Sequence, residues 1–252
     1  MKAIREWIRT HFKLLSCLSF ILVAVTILAI FGNTKVGADS GTGESQSGQP
    51  HPGFVAVPSV QPLTLGSLSD LGLDQNLDLR AGPVDVPLEL RIPSLHVSAP
   101  VLGVGITSEN VMDAPKGSAD NPVWQKVFWY RGSGIPGDLS TTTMAGHVDD
   151  ALGRPAAFAR IKELGAGDLI VVHDTRRGLD INFKVIKEEI YSAQQSIDPQ
   201  VLTRIYGAGP VSGKGPQLAS DGLSHLTLIT CSGEYVHGSY NQRLVVYATR
   251  SD

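Results

Sequence analysis

From residue 86 onward the chain consists of short runs of β-branched and apolar residues, separated by residues typical of turns. Seven runs have the length and composition of strands: 88–93, 97–106, 141–146, 169–174, 181–191, 226–230 and 244–250. The 27 Gly and 15 Pro of the chain supply many turns. Short strands with frequent turns indicate a mostly β domain, and we predict a mostly antiparallel sheet closed into a barrel.

Two short helices are predicted beside the strands. In 155–164, Phe158, Ile161 and Leu164 recur at helical spacing. The second predicted helix covers 198–206. Both are short, so the predicted fold class remains mostly β with short helices.

An uncharged apolar run, 14–31, lies near the N-terminus. As a helix with a rise of ~1.5 Å per residue it would span roughly 27 Å, close to the ~30 Å of a bilayer core. Residues 1–13 hold four Lys or Arg, against Lys35 alone soon after the run. This asymmetry predicts a cytoplasmic N-terminus (1–13), one transmembrane signal-anchor (14–31) and an extracytoplasmic remainder. A cleaved signal peptide is the alternative, but its apolar region is usually only about 7 to 15 residues long.

The segment 32–85 is rich in Gly, Ser, Pro and Gln, and its first half has too few large apolar residues to form a core. We predict a flexible extracytoplasmic linker here, followed by a folded domain at 86–252. Several leucines in the second half of the linker leave open whether that half packs on the domain.

Charge and cysteine content limit the possible partners and bonds. The formal net charge is −3, so the chain lacks the basic balance that binds nucleic acid phosphates, and no nucleic acid partner is predicted. The two cysteines are Cys17, in the apolar run, and Cys231, in the β domain. A disulfide needs Cα atoms within about 7 Å, which a membrane segment and an exported domain do not offer. Cys231 is therefore predicted to keep its thiol, as an intermolecular partner or a reactive group.

Cys231 directly follows the apolar run 226–230. A strand end places the thiol at the rim of a barrel, where a substrate can reach it. A buried, structural cysteine is the alternative, since cysteine is among the most buried residue types. A reactive thiol needs a base or a cation nearby, which lowers its pKa or accepts its proton.

Three residues are candidates for those groups. His147 follows a strand-like run directly, in a setting similar to that of Cys231. Arg243 opens the last run, and a hairpin over 232–242 would bring its guanidinium near the thiol, where it could donate to a developing oxyanion. His237 is a second candidate base, but closeness in sequence does not place a side chain on the thiol.

The order of these three residues and the segments around them resemble the sortase family. The segment 227–231, TLITC, is similar to the family's TLxTC strand, and 145–149, AGHVD, is similar to its histidine loop. Arg243 follows the cysteine by twelve residues (231 to 243). Further similar segments are RIPSL at 91–95, WY at 129–130 before PG at 136–137, and AAF at 156–158 before GD at 167–168. The resemblance covers roughly 88–249 and is strongest to class F sortases of actinobacteria.

The resemblance implies a closed eight-stranded sortase-type β-barrel, a catalytic domain at 86–252 and a two-step acyl transfer. Cys231 would attack the carbonyl between Thr and Gly of an LPxTG-like sorting signal, His147 would protonate the leaving amine, and Arg243 would hold the signal and the oxyanion. The implied partners are sorting signals of secreted surface proteins, and an amine of a peptidoglycan precursor or of another surface protein. The implied location is the outer face of the cytoplasmic membrane, facing the cell wall.

Two other functions fit an exported cysteine domain. An L,D-transpeptidase carries its histidine in an SHGC-type motif before the cysteine, whereas Thr230 and Ser232 flank Cys231 here. A tethered, non-catalytic β-barrel binding module is the non-enzymatic alternative. No cofactor is predicted, and no metal site, because the paired Cys and His motifs of zinc sites are missing from the sequence.

Overall fold

The computed structural model describes residues 64–76 and 78–251. The predicted cytoplasmic segment (1–13), the signal-anchor (14–31), Cys17 and the first part of the linker lie outside the described residues. Among the residues that are described, no helix is both long and apolar enough to cross a membrane.

Eight strands form one closed barrel. They are β1 (Val84–Ile92), β2 (Val97–Val104), β3 (Val127–Tyr130), β4 (Thr141–Gly146), β5 (Leu169–Asp174), β6 (Leu179–Ser192), β7 (His225–Val236) and β8 (Ser239–Arg250). The order around the barrel is β1-β2-β3-β4-β7-β8-β6-β5. The pairs β2/β3 and β4/β7 are parallel, and the other neighbouring pairs are antiparallel. The predicted closed, eight-stranded and mostly antiparallel barrel is confirmed.

Alternation of apolar residues decides which face of a strand points into the barrel. In β1, Leu88, Leu90 and Ile92 are buried in the core, while the residues between them are partly exposed. The strand β3 shows no such alternation, because all four of its residues are buried. It is not one of the seven runs predicted as strands, because a short, fully apolar segment shows no alternation with a period of two.

One of the two predicted helices forms. Helix α1 (Pro199–Tyr206) begins after Asp198, whose carboxylate accepts hydrogen bonds from the backbone N–H groups of Gln200 and Val201. Such an N-cap satisfies amide groups that have no partner within the helix. The apolar side of α1, including Val201 and Ile205, packs on the outer face of the barrel.

The predicted helix at 155–164 is wrong. This segment consists of turns and one short 3-10 helix, Ile161–Glu163. The N–H groups of Ala157 and Phe158 donate to the carbonyls of Trp124 and His147, at 3.0 and 2.9 Å. Since these amides are used by distant segments, they cannot make the bonds to i−4 that an α-helix requires. The spacing of Phe158 and Ile161 reflects burial in the core without helix formation.

The end of the predicted linker packs on the barrel. Leu65, Leu71 and Leu73 are buried in the same core as the strands. The Arg131 guanidinium donates to the carbonyl of Ala81 at 2.8 Å. The packed part of the chain therefore starts before the predicted boundary at residue 86, and β1 itself begins at Val84. The packed part begins earlier because burial of the three leucines on the barrel stabilises this segment.

Candidate active site

Strand pairing places Cys231 beside Arg243. In the antiparallel β7–β8 pair, these two residues lie directly opposite each other. Opposite residues in such a pair have Cβ atoms about 4.5 to 5.5 Å apart. The predicted hairpin between them is confirmed, and it turns at His237 and Gly238, which both have positive φ. Cys231 is a thiol and is mostly buried, with 9% of its surface exposed.

A second pairing brings His147 to the same edge of the barrel. Strands β4 and β7 are parallel and in register, with Ala145 opposite Ile229 at the end of their ladder. Parallel strands end at a common edge, so the residues that follow each ladder are neighbours. The Thr230 hydroxyl connects the ends of β7 and β4 at this edge by donating to the Gly146 carbonyl at 2.8 Å. Both groups are buried, and each is next in sequence to a predicted site residue.

The imidazole of His147 is enclosed on several sides. It is 6% exposed. Its ring centroid lies 4.7 Å from that of Trp124 and 5.3 Å from that of Phe128. Nε2 lies 3.0 Å from the carbonyl oxygen of Pro115. A carbonyl can only accept, so Nε2 carries a hydrogen, and in the neutral ring the lone pair is on Nδ1.

The surroundings of His147 determine its charge. Burial lowers the pKa of His147 below the ordinary value near 6.5. The Pro115 carbonyl opposes this effect by raising the pKa, Lys116 lowers it further, and Asp149 raises it. Because the net direction is downward, the ring is neutral at neutral pH. Nδ1 is then available to accept a proton.

The Arg243 guanidinium is held by the main chain of its own hairpin. Nη1 donates to the carbonyls of Tyr240 and Gln242, at 3.0 and 2.7 Å. Nε and Nη2 make no hydrogen bond to any residue that the structure describes. A guanidinium anchored through one nitrogen presents the others in a fixed orientation. It can therefore donate to a carbonyl oxygen brought to Cys231.

The three polar side chains share one open pocket with about 640 Å³ of empty space. The rest of its lining is mainly apolar and comes from the β2–β3 connection, α1 and the barrel edge: Val111, Met112, Ala114, Ala145, Leu202, Ile205, Tyr206 and Ile229. Burial raises the pKa of Tyr206, so its phenol stays neutral. The site combines a thiol, a base and a cation with an apolar groove.

The structure thus brings Cys231, His147 and Arg243 together, as the sequence predicted. His237 is not among the pocket residues and lies in the hairpin turn. Pro115, Trp124 and Tyr206 also belong to the site but were not predicted from the sequence. No motif or period marks the first two, which lie in the long irregular connection between β2 and β3.

Comparisons with known proteins agree on one family. The family model described as a sortase domain matches residues 90–251. This match separates the chain from L,D-transpeptidases and from non-catalytic binding modules. No curated protein sequence matches the chain.

Several solved sortase structures are similar to this chain. Sortase C-1 from Actinomyces oris has 20% identity and a TM-score of 0.44, over 66% of this chain and 71% of that chain. Sortase A from Corynebacterium diphtheriae has 19% identity and a TM-score of 0.44, over 69% of this chain and 63% of that chain. Sortase C from Clostridium perfringens, solved with the C-terminal cell wall sorting motif, has 20% identity and a TM-score of 0.42, over 65% of this chain and 69% of that chain.

Proposed function

Since the chain belongs to the sortase family of cysteine transpeptidases, we propose that Cys231 is its nucleophile, His147 its general acid and base, and Arg243 its oxyanion donor. The observation that carries this assignment is the meeting of the three side chains in one pocket. Two independent strand pairings produce that meeting, β7 with β8 and β4 with β7. The chemistry of each group fits its role.

In the first step, the Cys231 sulfur attacks the carbonyl carbon between Thr and Gly of an LPxTG-like signal. The thiol proton passes to Nδ1 of His147, which rests neutral because burial lowers its pKa. The carbonyl oxygen becomes an oxyanion and accepts hydrogen bonds from Nε or Nη2 of Arg243. The C–N bond to Gly then breaks, and His147 returns the proton to the departing amine. Cys231 is left as a thioester of the Thr carbonyl.

In the second step, an amine attacks the thioester carbon. His147 accepts a proton from that amine, and the C–S bond breaks as the new amide forms. The proton returns to the Cys231 sulfur, so the enzyme is regenerated. The burial of His147 favours this cycle, since a base whose protonated form is not too stable releases the proton again.

The apolar part of the pocket supports a substrate with aliphatic side chains before the scissile bond. Met112, Leu202 and Ile205 line it, and an apolar groove of this kind accommodates Leu and Pro of an LPxTG-like signal. We further propose that the chain is a class F sortase anchored by residues 14–31, with the barrel on the outer side of the cytoplasmic membrane. The motifs and the basic N-terminus of the sequence support these proposals.

A transpeptidation assay tests the proposed function. The full chain in detergent is incubated with a peptide that contains LPxTG and with a short glycine peptide as the amine, and products are identified by mass spectrometry. We expect one product in which the Thr carbonyl is joined to the added amine, together with the released Gly-terminated fragment. Cleavage at another bond, or an intact peptide after prolonged incubation, contradicts the proposal.

The Thr230–Gly146 hydrogen bond gives a further prediction. Thr230→Val keeps the shape of the side chain but removes its donor to the Gly146 carbonyl. We expect a loss of about 1 kcal/mol of stability. We also expect kcat to fall about 10- to 100-fold, because the strand ends that carry Cys231 and His147 lose the hydrogen bond that holds them together.

Thr249→Val is the matched control for this experiment. Its hydroxyl bonds to Nδ1 of His225 at 3.2 Å, at the other end of β8. Thermal unfolding and steady-state kinetics of both variants are compared. A Thr249→Val enzyme with normal kcat supports the role of Thr230, whereas an equal loss of kcat in both variants refutes it.

A further inference from the structure

Tyr240 contacts two of the elements that carry the proposed catalytic residues. Its hydroxyl donates to Oδ2 of Asp149 at 2.6 Å, and Asp149 lies two residues after His147. Its main-chain carbonyl accepts from Nη1 of Arg243 at 3.0 Å. One residue of β8 is therefore bonded to the histidine loop through its side chain and to the guanidinium through its backbone.

The backbone of the β7–β8 hairpin determines where the Tyr240 ring lies. A register shift between Ser232 and Tyr235 forms a bulge, with Gly233 at φ 80°. The turn residues His237 and Gly238 have φ values of 51° and 87°, which is the pattern of a tight two-residue hairpin turn. These features put Tyr235 directly opposite Tyr240.

The two tyrosine rings support each other. Their centroids lie 5.2 Å apart, and the ring planes meet at 70°, an edge-to-face arrangement. Tyr235 thus packs against one side of the Tyr240 ring. With the ring supported in this way, the hydroxyl of Tyr240 remains directed at the Asp149 carboxylate.

We propose that Tyr240 is a positioning residue that holds the histidine loop and the Arg243 guanidinium at a fixed separation on the two sides of Cys231. This inference rests on the proposed roles of those residues. A hydrogen bond between a phenol and a carboxylate is charge-assisted and short, so it restrains the loop more firmly than a neutral contact does. The restraint keeps Nδ1 of His147 and the free edge of the guanidinium aimed at the same reacting carbonyl.

The bond also fixes a negative charge near His147. Asp149 raises the pKa of His147, against the lowering by burial and by Lys116. Cys231, Tyr206 and Arg243 are the other ionisable groups that line the pocket with the imidazole. When the phenol no longer holds the Asp149 carboxylate in place, the carboxylate raises the pKa of His147 less, and that pKa falls. Removal of the charge in Asp149→Asn lowers that pKa further.

A double-mutant cycle tests the link through activity. Tyr240→Phe keeps the ring and the carbonyl but loses the hydroxyl, and Asp149→Ala loses the acceptor. We expect each single variant to lose about 10- to 100-fold in kcat, with a smaller change in KM. The double variant should lose no more than the single variants, because both remove the same bond. Tyr247→Phe is the matched control with normal kcat, because it removes another hydroxyl of β8, one that is bonded to the hydroxyl of Tyr191 on β6.

An NMR titration gives a readout that does not depend on activity. The full chain is labelled at histidine, and the His147 signal is assigned by its loss in His147→Gln. We expect its midpoint at lower pH in Tyr240→Phe than in the unaltered chain, and lower still in Asp149→Asn. Unaltered kcat and midpoint in Tyr240→Phe, or additive losses in the double variant, overturn the inference. If the unaltered chain cleaves no peptide, the proposed function fails, and the titration still decides whether Tyr240 holds Asp149 near His147.

Discussion

Replacement of Cys231 by alanine should abolish peptide cleavage, with a loss of at least about 10⁴-fold in kcat/KM. The reason is that the other polar groups of the pocket are poorer nucleophiles than a thiol. The Ser196 and Thr230 hydroxyls donate to main-chain carbonyls, and the Tyr206 phenol is neutral because burial raises its pKa. His147 is held at Nε2 by the Pro115 carbonyl, and Arg243 is a cation. The side chain is small, so its truncation should change the melting temperature little. Cleavage is followed by chromatography of the peptide fragments, alongside thermal unfolding.

His237→Asn is the control for this variant. His237 lies six residues after Cys231 in the sequence, but its backbone is in the hairpin turn at φ 51°. Asparagine tolerates that backbone conformation better than alanine does, so the hairpin should persist. We expect normal activity. Cleavage by Cys231→Ala at more than a hundredth of the normal rate, in a correctly folded protein, is incompatible with a cysteine nucleophile at this position.

Loss of the Arg243 guanidinium should produce the second-largest effect. Arg243→Ala removes the donors to the oxyanion, and we expect kcat to fall about 10²- to 10³-fold. Arg243→Lys keeps the positive charge, but an ammonium group cannot bond to the Tyr240 and Gln242 carbonyls and to a substrate oxygen in the same fork. We therefore expect the lysine variant to recover less than a tenth of the normal kcat.

Two measurements separate this role from a general effect on folding or on the thiol. Arg160→Lys is the matched control, since Arg160 pairs with Glu163 on the barrel surface at 2.6 Å and should not affect kcat. The rate at which a small alkylating reagent modifies Cys231 reports on the thiol without a peptide substrate. If Arg243→Lys is fully active, the guanidinium does not stabilise the oxyanion.

The sequence was sufficient to predict the barrel because short runs of β-branched and apolar residues are separated by turn residues, and strands such as β1 and β6 alternate between buried and exposed residues. It was insufficient where a segment is buried on both faces, as in β3 (Val127–Tyr130). The helical spacing of Phe158 and Ile161 led to a wrong helix prediction, because this spacing reflects only the burial of both side chains in the core. In that segment the Phe158 amide donates to the His147 carbonyl, a long-range bond that no local pattern reveals.

The sequence likewise predicts some features of the candidate site and not others. Cys231 and Arg243 could be paired from the sequence, because a short connection between two strands implies a hairpin. His147 could be joined to them only by resemblance, since the parallel pairing of β4 with β7 links residues 84 positions apart. The contact of Pro115 with His147 and the bond between Tyr240 and Asp149 are visible only in the folded structure. Irregular connections and side-chain bonds across the fold leave no period in the sequence.

The most direct test of the account is to trap the acyl-enzyme. The full chain is mixed with an LPxTG peptide in the absence of an amine acceptor, quenched with acid, and digested for peptide mapping by mass spectrometry. We expect Cys231 to carry the peptide through its Thr carbonyl, in a bond that hydroxylamine cleaves and that is absent from Cys231→Ala. A peptide cleaved at Thr–Gly while the acyl group is found on another residue, or while Cys231 stays unmodified throughout turnover, would contradict it.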